Sequence, residues 1–256
     1  MIKLSIITVA YNNLEGIKET YESLSHINGR DYDYIEWVVI DGGSSDGTSE
    51  YLSKLGSVYN LKYISESDKG IYDAMNKGIA ISTGKYALFL NSGDSIVAGA
   101  ADLIHEICIS KIDNTVFLCD AILNFGNSFT KIRKAKKIIY IYHSLPASHQ
   151  AIIYPLSVLK EVRYDLSYKV SSDYALTAKL YKKGFKFIRF SEILSSFSIG
   201  GVSTVNSEQL CLDAMKVQKE ILKMPKPFIC LSYFFRRLMT NRVKKNWEKV
   251  DGTAIK

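Results

Sequence analysis

Four short apolar runs, LSIITVA (4–10), YIEWVVI (34–40), LKYIS (61–65) and YALFL (86–90), each stop in a polar loop. Runs of this length, rich in Ile and Val, read as parallel strands. Between them the pattern turns helical over 14–27, 48–55 and 71–80, where Ile71, Met75 and Ile79 recur every four residues on one face. Strands and helices alternating in this way restrict the N-terminal part of the chain to a doubly wound α/β sheet.

Sheets of that kind take ligands at the carboxyl ends of their strands, so the loops carry the information. They read YNN, DGGSSDGT, ESDKG and NSGD, and they hold Asp41, Asp46, Glu66, Asp68 and Asp94. Past residue 115 the pattern loosens. Short strands are expected over 116–123 and 129–132 beside the basic stretch KIRKAKK. A helix is expected over 172–183, stopping at Gly184, and another over 207–223, ending before MPKP.

With 256 residues, 47% hydrophobic and 23% charged, the chain suffices for one large domain or a domain with a C-terminal appendage. No run approaches the roughly 18 apolar residues that cross a bilayer. MIKLSIITVAYNN has neither the basic flank nor the cleavage site of a leader, so a cytoplasmic protein is expected. Cys108, Cys119, Cys211 and Cys230 are too scattered to signal a zinc site or a disulfide framework. The formal charge of +7 sits in the tail, where eight Lys and Arg oppose Glu248 between Lys223 and Lys249. Charge so confined, with no nucleic-acid-binding motif beside it, argues against a nucleic acid partner.

Neither GxGxxG nor GxxxxGK[ST] occurs, which removes two familiar phosphate-binding loops. In DGGSSDGT, Asp46 suits the cap of a helix beginning near Thr48, whereas Asp41 stands at a strand end with no helix to cap. Together SIITVAYNN, IDGGSSDGT, SESDKGIYDAMNKGIAISTGKYALFLNSGD and the later SSDY resemble glycosyltransferase family 2, inverting enzymes of GT-A fold. The likeness is greatest to bacterial members that build surface polysaccharides such as O-antigen or capsule. It is strong from residue 3 to about 95, patchy to about 205 and absent at the C-terminus.

The resemblance implies an α/β GT-A fold, a mixed and mostly parallel sheet flanked by helices, and a nucleoside diphosphate sugar donor, UDP-linked by family frequency. It also distributes roles. Thr8, Ala10, Tyr11 and Asp41 would hold base and ribose, since a strand-end carboxylate accepts from a ring imide and a tyrosine face stacks; Tyr11 also reads as a packing residue. Asp68 would border nucleotide and sugar, or sit in a surface turn. Lys77 reads either as a phosphate contact or as the exposed partner of Asp73, four residues before it. Where family members carry an Asp-x-Asp-like metal motif, this chain has Asn91, Ser92, Gly93 and Asp94. Asp94 then becomes the ligand of Mn²⁺ or Mg²⁺, with Asn91, Ser92 and Gly93 beside the donor; Mg²⁺ commonly keeps several waters and few protein ligands.

Asp173 in SSDY would be the base that takes the acceptor proton, or else a helix cap beside Ser171 and Ser172. His149 of PASHQAIIY would touch diphosphate, metal or acceptor, or serve as a hydrogen-bonded structural histidine. FSIGGVST resembles the mobile loop that closes over the donor, with Ser203 or Thr204 against phosphate.

The expected organisation is a glycosyltransferase domain over 1–222, comprising a nucleotide-sugar half (1–95) and an acceptor and base half (96–222), followed by a basic amphipathic helical tail (223–256). In FICLSYFFRRLMTNRVKKNW, Leu231, Phe234, Phe235 and Leu238 share one helical face, with Arg236, Arg237, Arg242, Lys244 and Lys245 behind it. Such a helix suits the anionic inner face of a membrane and a polyprenyl-diphosphate-linked glycan acceptor, or it packs on its own domain. Two further readings stand beside this one. One is a sugar nucleotidyltransferase, although YNNLEG lacks the glycine-rich basic first loop of those enzymes; the other is a non-catalytic protein that binds a sugar nucleotide or a lipid.

Overall fold

The computed structural model describes residues 3–27, 34–110, 112, 114–125, 129–198 and 206–251, with side chains as far as 240. Strands β1 (Leu4–Ala10) and β2 (Ile35–Asp41) are buried at every position, because helices cover both faces of the sheet. Strand β3 (Lys62–Ser65), at the sheet edge, alternates between half-buried and exposed. Strand β4 (Tyr86–Phe89) is again buried throughout. Successive side chains point to opposite faces and so feed two cores. Ile7, Val9, Val38, Ile40 and Phe89 join the core that holds Ala74, Met75 and Ile79, whereas Leu4, Ile6, Trp37, Val39 and Leu88 join the core that holds Ile17. Helix α1 spans Leu14–Ser23, α2 Thr48–Lys54 and α3 Ile71–Ile81, close to the helical stretches expected.

The chain continues through β5 (Ser95–Ile96), α4 (Ala100–Ile109), β6 (Thr115–Asn124), β7 (Thr130–Arg133), β8 (Ile152–Pro155), α5 (Leu156–Val162) and α6 (Ser172–Lys182). It ends in β9 (Lys186–Ser198), α7 (Ser207–Glu220) and α8 (Lys226–Asp251). The strand order is β3-β2-β1-β4-β8-β6-β9-β5, with β7 on β6. The first four strands in that order are mutually parallel, and β8 enters antiparallel between β4 and β6. The amino end of β8 therefore lies at the edge where β1 to β4 end. Register places Ala10 beside Asp41, and Asp41 beside Ser65.

At the opposite edge of the sheet Glu36 is fully buried. Its carboxylate accepts from Ser5 Oγ, Lys62 Nζ (2.7 Å), Thr83 N and Oγ1 (2.8 Å) and Gly84 N (3.2 Å). These donors outweigh the desolvation that pushes the other way, and the acid is held below its ordinary range.

The tail departs from expectation in detail. Ile229, Ser232 and Arg236, spaced at three and four along α8, are buried, and Ser232 Oγ bonds His143 Nδ1 at 2.8 Å and Gln218 Nε2 at 2.7 Å. Arg236, expected on the solvated basic side, is thus on the face seated on the domain. The apolar residues Phe228, Leu231, Phe234, Phe235, Leu238 and Met239 are the exposed ones. The side chains of Arg242, Lys244 and Lys245 lie outside the described set. Among the described residues no helix is long and apolar enough to cross a membrane.

Candidate active site

The carboxyl ends of β1, β2 and β4, the loop before β8 and the amino end of α6 enclose a cavity of about 1100 Å³. From residues 1–95 come Ala10, Tyr11, Gly42, Asp68, Asn91 and Ser92; from later in the chain come Arg133, His149, Gln150, Lys169 and Asp173, and from α8 comes Arg236. Five buried side-chain polar atoms lack a partner among the described residues, and four of them belong to residues lining this cavity: Asn91 Oδ1, Ser148 Oγ, Ser171 Oγ and Arg236 Nη2. Buried polar atoms are nearly always paired, so their convergence marks a cavity shaped for a polar ligand.

The loops that form the wall brace one another. Asn12, in the left-handed region at φ 48°, donates its N–H to Ser44 Oγ (2.7 Å) and accepts from Ser45 N (2.9 Å). Asn13 accepts from Gly16 N at 3.1 Å, capping α1, and its Nδ2 donates to Ser92 Oγ at 3.0 Å. Asp46 accepts from Thr48 N (3.1 Å) and from Leu14 N (2.8 Å), so one carboxylate holds the starts of α2 and α1 together. Sequence reasoning gave Asp46 the cap and missed the bracing roles of Asn12, Asn13 and Ser44.

The expected nucleotide residues divide. Tyr11 is 68% exposed on the cavity wall. A Cβ on Gly42 would lie 2.7 Å from Asp68 Oδ2 and 3.3 Å from Tyr11, so the missing side chain lets these two close over the β2 loop. Asp68 Oδ1 accepts from Gly70 N at 2.7 Å. Asp41 is fully buried and does have local work: it accepts from Ser44 N (3.1 Å), from Ser44 Oγ and from Ser65 Oγ (2.6 Å), tying the turn after β2 to β3. Thr8 is also buried, its Oγ1 accepting the Trp37 indole N–H at 2.9 Å. Lys77 pairs with Glu66 at 2.7 Å and donates to Ser67 O at 2.9 Å, while Asp73 caps Lys69 N at 3.0 Å; Lys77 props up the Asp68 loop from outside the cavity lining.

The NSGD turn puts Asn91 and Ser92 on the wall. Gly93 sits at φ 93°, a conformation that glycine adopts without strain, and donates its N–H to Gly16 O at 2.9 Å. Asp94 is buried behind the wall, where its Oδ2 accepts from Asn91 N at 2.9 Å and Gln150 hydrogen-bonds the carboxylate. Desolvation pushes this acid up to about 7. Among the described residues no cluster of three or more His, Cys, Asp or Glu is gathered to hold a metal. The turn nonetheless offers two hard oxygen donors, the orphaned amide oxygen of Asn91 on the wall and, behind it, the buried carboxylate of Asp94, which has no cationic partner among the described residues. That set fits a cation coordinated mainly by diphosphate and water.

Asp173 stands in the first turn of α6, whose cap position is Ser171, and its Oδ1 accepts from Tyr174 N at 2.7 Å. Its carboxyl is pushed up to about 6 by burial, opposed in part by the positive charge of Arg133. The loop before α6 is held by Asp213, which accepts from Val170 N (2.8 Å) and Ser171 N (3.1 Å), and by Tyr72 Oη on Val170 O. His149 stacks on Phe89 with ring centroids 5.2 Å apart, and its Nε2 meets Tyr164 Oη at 2.7 Å. Burial pushes its pKa down to about 4, so the imidazole is neutral at pH 7. Ser203 and Thr204 lie outside the described residues; Phe197 and Ser198, just before them, line the cavity.

Solved structures share this architecture. Residues corresponding to 94% of the chain superpose on 73% of Staphylococcus aureus TarS 1-349 with a TM-score of 0.68 at 20% identity. A mannosyltransferase from Pyrobaculum calidifontis, in complex with GDP-Man and Mn2+, matches 99% of the chain over 76% of its own, with a TM-score of 0.67 and 12% identity. Among curated proteins, an uncharacterized glycosyltransferase of Mycobacterium tuberculosis, Rv1514c, is 32% identical over 186 residues, 66% of this chain and 65% of that protein. This chain thus spans about two thirds of that relative's length. The profile described as Glycosyl transferase family 2 matches residues 5–148, more than half of the sequence, and the chain belongs to that family.

Proposed function

We propose that this glycosyltransferase moves a hexose, with inversion, from a UDP-linked sugar to a growing bacterial surface glycan carried on polyprenyl diphosphate, with Mn²⁺ or Mg²⁺ bound. The observation that carries this reading is a desolvated carboxylate, Asp173, in one continuous cavity with Tyr11, Gly42 and Asp68. Similar folds have been solved with UDP-GlcNAc in TarS and with GDP-Man and Mn2+ in the Pyrobaculum calidifontis enzyme, which supports a sugar nucleotide here. Residues 1–95 serve the donor, 96–222 the acceptor and 223–256 the membrane.

Base and ribose lie against Tyr11 and Ala10, with Thr8, Asp41 and the Lys77 brace fixing the loops behind them; Asp68, Asn91, Ser92, Gly93, His149 and Ser203 surround sugar and diphosphate. Asp94, with Asn91 Oδ1 beside it, would hold a divalent cation, which would supply Lewis-acid stabilisation to the diphosphate leaving group. The acceptor hydroxyl gives its proton to Asp173 as its oxygen attacks the anomeric carbon, and the diphosphate leaves from the opposite side. A donor linked α gives a β product.

The pKa of Asp173 sets a pH limb. The base must be ionised, and its folded value of about 6 lies above the ordinary carboxylate range. Therefore kcat/KM is expected to be flat above pH 7 and to fall about tenfold per unit below about pH 6. A profile flat down to pH 4.5 would remove Asp173 as base.

Calorimetric titration with UDP and GDP, each with Mn²⁺ and with EDTA, tests the donor site. One nucleotide should bind, more tightly with metal; binding of neither sinks the reading. In Asp94→Asn the metal-dependent part of the UDP affinity should fall about tenfold or more, as for loss of one charged ligand, with binding in EDTA unchanged. An unaltered metal response takes Asp94 out of the ligand set.

The outward apolar face of α8 supports docking on an anionic bilayer, the basic residues of the tail adding attraction. Co-sedimentation with vesicles of phosphatidylcholine and phosphatidylglycerol should drop at least about tenfold in Phe234→Glu/Phe235→Glu. Equal partitioning of variant and wild type would leave that face for another partner.

A further inference from the structure

Arg236 comes from the tail, yet its side chain lines the catalytic cavity and is only 7% exposed. Its Nη1 donates to Ser144 Oγ at 3.2 Å and its guanidinium lies 5.9 Å from the centre of the Tyr174 ring, the residue next to Asp173. Its Nη2 is buried and has no partner among the described residues, and no described carboxylate pairs with the guanidinium. Arg133 and Lys169 line the same cavity.

A buried guanidinium is costly unless an anion meets it, and a structural one normally carries its carboxylate with it. Seating α8 does not explain Arg236 either, because Ile229 and Ser232 already bury that face. A planar fork with one arm fixed and the other free is suited to the oxygens of a phosphate, which it grips at two points. We infer that Arg236, sharing the cavity with Arg133 and Lys169, is a phosphate-binding residue of the substrate cavity, delivered by the same helix that exposes an apolar face. The inference rests on the glycosyltransferase reading, and its phosphate comes either from the donor diphosphate or from the lipid diphosphate of the acceptor. Either way, the position of the tail helix and the occupancy of the active site are coupled through one side chain.

Calorimetry on the full chain in EDTA, with uridine, UDP and farnesyl diphosphate, compares wild type with Arg236→Gln. Loss of a charged two-point contact should weaken one phosphate-bearing ligand about 10- to 100-fold while uridine affinity stays constant. Weakened UDP identifies the donor as the source. Unchanged UDP, with weakened farnesyl diphosphate binding to UDP-saturated protein, identifies the acceptor. Equal binding of all three ligands to both proteins overturns the inference, as does a wild type that binds UDP no better than uridine and ignores farnesyl diphosphate. Should Arg236→Gln not fold, Arg236→Lys keeps the charge and removes the fork, and the same loss is expected. Failure of uridine and UDP alongside retained, Arg236-dependent farnesyl diphosphate binding removes the sugar-nucleotide reading and leaves the phosphate site standing.

Discussion

Asp173→Asn is expected to lower turnover by about 10²- to 10⁴-fold while leaving UDP affinity nearly unchanged. The substitution keeps the shape of the side chain, and an amide oxygen can still accept from Tyr174 N, as Asp173 Oδ1 does at 2.7 Å. Helix α6 keeps its start as well, since Asp213 accepts from Val170 N and Ser171 N independently of Asp173. What disappears is an atom able to take a proton from the attacking hydroxyl. Single-turnover transfer from a saturating donor reads this step directly. Near-normal turnover would reduce Asp173 to a first-turn acid that complements the helix dipole.

The second large effect concerns folding. Glu36→Ala is expected to cost about 3 kcal/mol of stability, with the donor site left intact. The carboxylate is fully buried and gathers Ser5, Thr83, Gly84 and Lys62, joining β1, β2 and β3 to the turn before β4. Lys62 is 40% exposed and can turn to water, so the cost comes chiefly from the buried hydroxyl and N–H donors left without an acceptor. Because Glu36 lies at the edge remote from Asp41, UDP titration of the folded variant should match wild type. Denaturant midpoints at pH 7 and pH 4 add a signed check. The folded state holds this acid below its ordinary value of 4.5, so its contribution is present at pH 7 and is lost as pH falls through the acid range. The gap between variant and wild type should therefore narrow on acidification.

The parallel strands were legible because burial on both faces leaves continuous apolar runs, as in β1 and β2. The second half was less so. Strand β8 is four residues long and passes straight into α5 at Leu156 with no polar loop to mark the change. Strand β9 is long but half-buried, so its pattern is mixed. At the site, Tyr11, Asp68, Asn91, Ser92, His149 and Asp173 were readable as polar or aromatic groups at strand ends and a helix start, and all line the cavity. Asp41, Thr8, Lys77, Gly93 and Asp94 lie behind it or beside it, where hydrogen bonds that no spacing reveals take up their polar groups. Arg133, Lys169 and Arg236 could not be singled out, because each is one basic residue among many until the fold closes around it.

The thiol inventory offers a practical handle. Cys108, Cys119 and Cys211 are buried, and burial pushes all three thiols up, whereas Cys230 is exposed on α8, one helical turn before Phe234. A maleimide fluorophore should therefore label the native chain at Cys230 with little competition, since the thiolate is the reacting form and the other three are shielded. Placed at the rim of the apolar stripe, such a dye would report the polarity around α8 in real time, without altering a residue of the cavity.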